Sequence, residues 1–219
     1  DLTVTGVQTC ALPISSFKFP LYPSGSRKLT FYVSFVTEEL SMIASHPKVT
    51  EQVLATYLAD GVVKIPGAIS EEWFPEIEAM ADAQLRDPGI WVSDTNPGAT
   101  TDRLFTSRYC WKTDSRVNRY VHESGVGHMA AALMGSSSAR LYFDHLVIKE
   151  PKTEAPTPWH QDIPYWPFLG KQICSAWVSA SQVTVNESSL EFVRGSHLWD
   201  SYFAPQMFDG ADEIGRAHV

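Results

Sequence analysis

His160 and Asp162, two residues apart in the extended-looking run Trp159-His160-Gln161-Asp162, constrain this chain more than any other feature. Side chains at i and i+2 of a strand leave the same face. An imidazole and a carboxylate so placed can grip one metal ion from one side. A second His from elsewhere would complete a two-His-one-carboxylate set, which leaves coordination positions open. The other reading of the pair is a buried His hydrogen-bonded to a nearby Asp. Pairs with this spacing arise by chance in many chains, so the rest of the sequence has to decide.

Composition narrows the field. The chain has 219 residues, enough for one domain with a substantial core. A hydrophobic content of 44% with seven Trp argues for a globular protein. The net charge of −8, with no Lys/Arg cluster, argues against a nucleic-acid partner. No apolar run is long enough for a transmembrane helix, so no membrane partner is expected. Cys110 and Cys174 form no disulfide framework and read as buried thiols of a reducing, cytoplasmic compartment.

The coarse pattern puts helices first and short strands afterwards. Val53, Leu54, Tyr57 and Leu58 mark a helix over 49–59, stopped by Asp60-Gly61. A short strand follows at 62–65. Ser70 suits the N-cap of a second helix running to Arg86. Residues 93–101 read as a loop, 117–134 as a third helix, and 140–149, 173–180 and 190–193 as strands. This order predicts an α+β fold.

The run Pro156-Thr157-Pro158-Trp159-His160-Gln161-Asp162-Ile163-Pro164-Tyr165-Trp166-Pro167 resembles the phytanoyl-CoA dioxygenase family, whose members carry Pro-x-His-Gln-Asp followed by aromatics. Cys174-Ser175-Ala176-Trp177-Val178 resembles the family's next strand, and Leu190-Glu191-Phe192-Val193-Arg194-Gly195-Ser196-His197 its Leu-x-Phe-x-x-Gly-Ser-His signature. Tyr57-Leu58-Ala59-Asp60-Gly61-Val62-Val63 resembles its opening. The resemblance runs from about Val49 to about Phe208. Asn186-Glu187-Ser188-Ser189 departs from it, standing where the family has a Gly turn.

The resemblance implies a double-stranded β-helix, a cupin-like jelly roll, with N-terminal helices packed on it. It implies Fe(II), 2-oxoglutarate as co-substrate and O2, with hydroxylation of a small organic substrate and release of succinate and CO2. His160 and Asp162 would be the metal and catalytic residues. An acid at position 162 favours hydroxylation over halogenation, since related halogenases carry Ala or Gly there. Trp177 matches a Trp lining the co-substrate site, the alternative being a core Trp. Leu146 aligns with an apolar lining position, or else packs in the core. Asp144, on the same strand face, would meet substrate or be an edge charge. Tyr165 and Trp166 would shape the substrate mouth or fill the barrel interior. His197 reads as structural in its Gly-Ser-His turn. His145, alternating away from Asp144, reads as solvent-facing or hydrogen-bonded. Lys149 and Lys112 are the cations nearest the motif strands, without an assigned role. A non-catalytic binding module on the same fold is the alternative function, and the oligomeric state is not legible.

The two ends read differently. Glu213–Val219 back-translates to a DNA string whose reverse complement, read one base in, encodes Thr9–Ser15. That string resembles a sequencing-library adapter. Residues 1–14 and 213–219 are therefore set aside as scars, 15–48 as an N-terminal arm unlike the family, and 49–212 as a truncated oxygenase domain. The family's distal His and its oxoglutarate-binding Arg are expected beyond position 212. On that expectation only part of the barrel is present, the missing return strands leave unpaired edges, and the chain as given binds iron weakly and turns over little or not at all.

Overall fold

Leu29, Phe31, Val33 and Phe35 alternate with Lys28, Thr30, Tyr32 and Ser34, a period of two that gives a strand one apolar and one polar face. In the computed structural model these residues form the middle of the main sheet. The structure describes residues 7–9, 15–17, 27–37, 45–153, 157–167, 170, 172–180, 183, 189–203 and 217–218, with the backbone alone at 7–9, 15–17, 157–158 and 217–218. The strands are β1 (Val7–Thr9), β2 (Ser15–Phe17), β3 (Lys28–Val36), β4 (Val62–Val63), β5 (Val92–Asp94), β6 (Leu104–Arg108), β7 (Arg140–Lys149), β8 (Thr157–His160), β9 (Ile173–Ser179), β10 (Glu191–Phe192), β11 (Tyr202–Phe203) and β12 (Ala217–His218). The helices are α1 (Glu51–Asp60), α2 (Trp73–Arg86), α3 (Ser115–Glu123) and α4 (Val126–Leu133). The expected α+β class holds.

The main sheet has seven antiparallel strands in the order β4-β1-β9-β3-β7-β6-β5. A second sheet runs β10-β2-β8, and β11 pairs with β12. β3 pairs with β7 from Lys28↔Lys149 to Val36↔Arg140 and with β9 from Thr30↔Ser179 to Val36↔Ile173. This corrects the expectation of unpaired edges at β7 and β9. The stretch read as an N-terminal arm supplies the strand between β7 and β9, so the facing edges of those strands are paired, not exposed. Within the stretch set aside from the sequence, Val7–Thr9 pairs along β9.

Register separates the two faces. Leu29, Phe31, Val33 and Phe35 share one face with Leu146 and Ile148 of β7, Cys174, Ala176 and Val178 of β9, and Phe105 of β6. The helices cover that face with Tyr57, Trp73, Ile77, Met80, Val117, Tyr120, Met129 and Leu133. Edge-on ring contacts link Phe31 to Tyr120 at 5.2 Å and Trp73 to Tyr120 at 5.6 Å. The opposite face carries Tyr32, Ser34, His145, Ser175 and Trp177, and is far more polar. Ser34 and Ser175 share a hydrogen bond of 2.9 Å across it.

Helix ends follow local chemistry. Thr50 caps α1 by accepting from the Val53 N–H at 3.3 Å. Ser70 does not cap α2 with its side chain as expected. Its carbonyl accepts from the Trp73 N–H at 3.1 Å in a preceding turn, and the helix starts at Trp73. The single helix expected over 117–134 is two, because Gly125 takes a left-handed φ of 84° between α3 and α4.

The Gly195-Ser196-His197 turn docks onto the C-terminal end of α1. The Gly195 N–H donates to the Asp60 carbonyl at 3.0 Å, and His197 Nε2 lies 3.0 Å from the Leu58 carbonyl. Gly61 ends α1 at φ 77°, and a Cβ there would meet His197 Nδ1 at 2.4 Å. We expect Gly61→Ala to destabilise the fold by at least about 1–2 kcal/mol, the cost of a left-handed L-residue, plus the clash. Adding His197→Ala should recover the clash component. Chemical denaturation of the two single variants and the double variant checks this, and simple additivity would contradict the contact.

Candidate metal centre

The segment after β8 turns sharply. Asp162 precedes a single 3₁₀ turn over Ile163–Tyr165, with Pro164 inside it. Ile163 is fully buried and packs with Ile173. That anchor holds His160 and Asp162 together. His160 Nε2 stands 3.1 Å from Asp162 Oδ1, and both side chains are mostly shielded. The turn is further fixed by Gln161, which is buried. Its Oε1 accepts from the Phe203 N–H at 2.8 Å, and its Nε2 donates to the Ser201 carbonyl at 3.2 Å.

The polar face of the main sheet looks onto this pair. The Tyr32 hydroxyl donates to Asp162 Oδ2. His145 is the β7 partner of Tyr32, and Trp177 is its β9 partner. Arg108 is the β6 partner of His145. Arg108, His145, Tyr32 and Trp177 thus form one row across four strands, with cross-strand neighbours on one face. Burial presses the His145 imidazole down to about 4, helped by the Arg108 charge and opposed by Asp162. The ring is therefore neutral at physiological pH. His145 Nε2 and Trp177 Nε1 are both shut off from solvent and have no hydrogen-bond partner among the described residues.

The other residues singled out in the sequence fall in different places. Tyr165 sets its ring edge-on to His160, centroids 5.8 Å apart, and is partly exposed. Trp166 meets Tyr142 at 5.7 Å. Leu146 is fully buried in the helix-covered core, on the opposite face of β7 from His145. Asp144 shares that opposite face and is also fully buried. Its Oδ1 accepts from the Trp111 N–H at 3.3 Å. His145, read as solvent-facing or hydrogen-bonded, instead faces the pair. Lys149 is buried opposite Lys28, and burial lowers it to about 6. Lys112 lies over the Tyr109 ring at 5.2 Å. The Asn186–Ser188 departure lies outside the described residues.

Tyr32, His145 and Arg108 were not singled out as site residues by sequence reasoning. For Tyr32 the signal existed, in the alternation of β3.

The profile of the family Phytanoyl-CoA dioxygenase (PhyH) matches residues 57–216, well over half of the chain. The chain belongs to the phytanoyl-CoA dioxygenase family. No curated protein and no solved structure matches it. Members of the phytanoyl-CoA dioxygenase family are generally iron- and 2-oxoglutarate-dependent oxygenases, so the pair can be tested against an iron ion. Two donors each about 2.0–2.1 Å from one divalent ion, at right angles, stand about 3 Å apart. The His160–Asp162 spacing fits adjacent positions. Among the described residues, no third His, Cys, Asp or Glu gathers with them.

Burial raises Asp144 to about 7, against the hydrogen bonds from the Trp111 and Cys110 backbone. Its folded value therefore lies above its unfolded value of about 3.9. Between those values the folded state alone holds the proton, so stability falls as pH rises and the full penalty is present above about 7. Asp144→Asn keeps an acceptor for Trp111. It should gain stability over the native chain at pH 8, on the order of a few kcal/mol, and lose that advantage near pH 4. Denaturant titrations across this range check it, and a pH-independent difference would contradict the burial argument.

Proposed function

We propose that this chain is a non-haem iron(II)- and 2-oxoglutarate-dependent oxygenase that hydroxylates a small organic substrate, with His160 and Asp162 as two of the iron ligands. The observation that carries the reading is the 3.1 Å approach of His160 Nε2 to Asp162 Oδ1, on a rigid turn and inside a family match. The seven-stranded and three-stranded sheets are read as the two walls of the family's jelly roll. The free, buried thiols of Cys110 and Cys174 suit the cytoplasm.

Bound iron with 2-oxoglutarate and O2 supplies the oxidising power for an unactivated C–H bond. The residues of this chain supply position. Ile163 and Gln161 fix the turn, so that the imidazole and carboxylate meet one ion without reorganising. Tyr32 donates to Asp162 Oδ2 and leaves Oδ1 beside His160 Nε2, which orients the carboxylate as outer-shell partners of ligands do. Trp177 borders the co-substrate, and Tyr165 and Trp166 border the substrate.

A second reading is favoured by one observation: no third ligand of the usual types joins the pair among the described residues. On that reading the chain is a binding module that holds small molecules without turnover.

Anaerobic Fe(II) titration with a competing chelator, combined with succinate measurement, separates the two. The oxygenase reading expects Fe(II) binding that His160→Ala and Asp162→Ala each abolish, and succinate formation that depends on both. Iron-independent binding of 2-oxoglutarate with no succinate would support the binding module. Tyr32→Phe should weaken Fe(II) binding by about 10–100-fold, as loss of an outer-shell partner does. An unchanged affinity would remove Tyr32 from the site.

A further inference from the structure

Two local irregularities bring aromatic rings to the same place. The first is a bulge in β7. Ser34 pairs with Phe143 and Phe35 with Leu141, so Tyr142 is an extra residue opposite β3. A bulge breaks the alternation of a strand and re-aims a side chain. Leu141 packs on the helix-covered core, as Phe35 does. Phe143 and Tyr142 instead both meet rings on the side of the metal pair. Phe143 lies 5.6 Å from His145, and Tyr142 lies 5.7 Å from Trp166, at the end of the turn that Asp162 opens.

The second irregularity is Tyr109. Its backbone is left-handed, with φ 58° and ψ 29°. A bulky side chain rarely takes that conformation, and Gly takes it freely. The Tyr109 N–H donates to the Asp144 carbonyl at 3.1 Å, which holds the residue there. The ring so placed stands 5.3 Å from Phe143 and 5.9 Å from Trp91. A side-chain hydrogen bond joins it to Tyr142. Backbone strain of this kind clusters where a side chain has to meet a ligand.

Together the rings form a shaped surface. Tyr142 and Phe143 lie side by side, 6.2 Å apart and inclined by only 33°. Tyr109 is set at 84° to Phe143 on one side, and Trp166 at 69° to Tyr142 on the other. All four are half-buried, so each keeps part of its ring open. Two nearly parallel rings between two steeply set ones favour a flat ligand, because ring pairs add offset and edge-on attraction to the burial of area. The surface runs into the metal pair through His145 and Trp166.

We propose that this arc is the substrate platform of the site, that the substrate carries a planar aromatic ring system, and that Tyr109 is a specificity-determining residue. The bulge supplies the floor, and the left-handed Tyr109 closes one side. This deepens the oxygenase reading by naming a substrate class. It rests on that reading for the fate of the ligand, not for its binding.

The full chain is titrated by calorimetry with 2-naphthylmethanol and with its saturated twin, decahydro-2-naphthylmethanol. Both are uncharged and close in size. The aromatic alcohol should bind at least about tenfold more tightly, the worth of two ring contacts. Phe143→Leu keeps an apolar side chain but removes a ring face, and should erase most of that preference. Tyr109→Gly suits the left-handed backbone and removes the ring, and should weaken binding of the aromatic alcohol by about tenfold. A ring that only supports the fold would weaken both alcohols alike, so the ratio of the two affinities is the quantity read. If Tyr109→Gly does not fold, Phe143→Leu and Tyr142→Leu carry the test. Equal affinity for the two alcohols, binding of neither, or a preference that survives the folded variants within twofold overturns the platform. Fe(II) binding of the native chain is measured alongside. Iron binding through His160 and Asp162 without the aromatic preference sinks the platform alone. The preference without iron binding sinks the oxygenase reading and leaves the platform standing.

Discussion

The fold depends on the double pairing of β3. One strand hydrogen-bonds to β7 along its whole length and to β9 along most of it, in both cases antiparallel. Its alternation sets the two faces of the sheet at once. Leu29, Phe31, Val33 and Phe35 must go where the helices are, since each buried side chain of this size is worth about 1.5–3 kcal/mol. Tyr32 and Ser34 are then forced to the other face. A one-residue slip would send the apolar set toward the site and Tyr32 into the helix-packed core. The register that builds the core is therefore the register that delivers the Tyr32 hydroxyl to Asp162.

The same logic explains the chemistry of the polar face. His145 is neutral because it is buried beside a cation, and the nearby carboxylate only partly offsets this. Asp162 has each oxygen engaged, Oδ1 by His160 and Oδ2 by Tyr32. Its geometry is thus fixed from two elements distant in sequence, the turn after β8 and the strand β3. Pre-positioning of this kind lets a small site act without a rearrangement when a ligand arrives. The Gly-Ser-His turn adds a third link, tying the region after β10 back to α1 through the Leu58 and Asp60 carbonyls.

Much of this was legible in the sequence. β7 and β9 were readable from alternation and apolar runs, and α1 and α2 from periodicity; the closeness of His160 and Asp162 comes instead from the turn after β8, since the strand ends at His160 and Asp162 opens the 3₁₀ turn. The split between α3 and α4 turned on one backbone angle at Gly125, which a helical pattern does not reveal. β3 carries as clear a period of two as β7 does, but it lies outside the stretch that resembles the family, and the family match begins at residue 57. The parity of β7 was a different kind of problem. Alternation separates Asp144 and Leu146 from His145, but which set faces the site is decided by where the helices pack, and that is not a local property.

The account stands on β3 being a central strand of the sheet. Hydrogen–deuterium exchange of the native chain tests this most directly. The amides of residues 29–35 should exchange as slowly as those of β7 and β9, near the global unfolding limit. Rapid exchange there, with β7 and β9 protected on their own, would show a loose arm beside an incomplete sheet. That result would remove Tyr32 from the site and contradict the account.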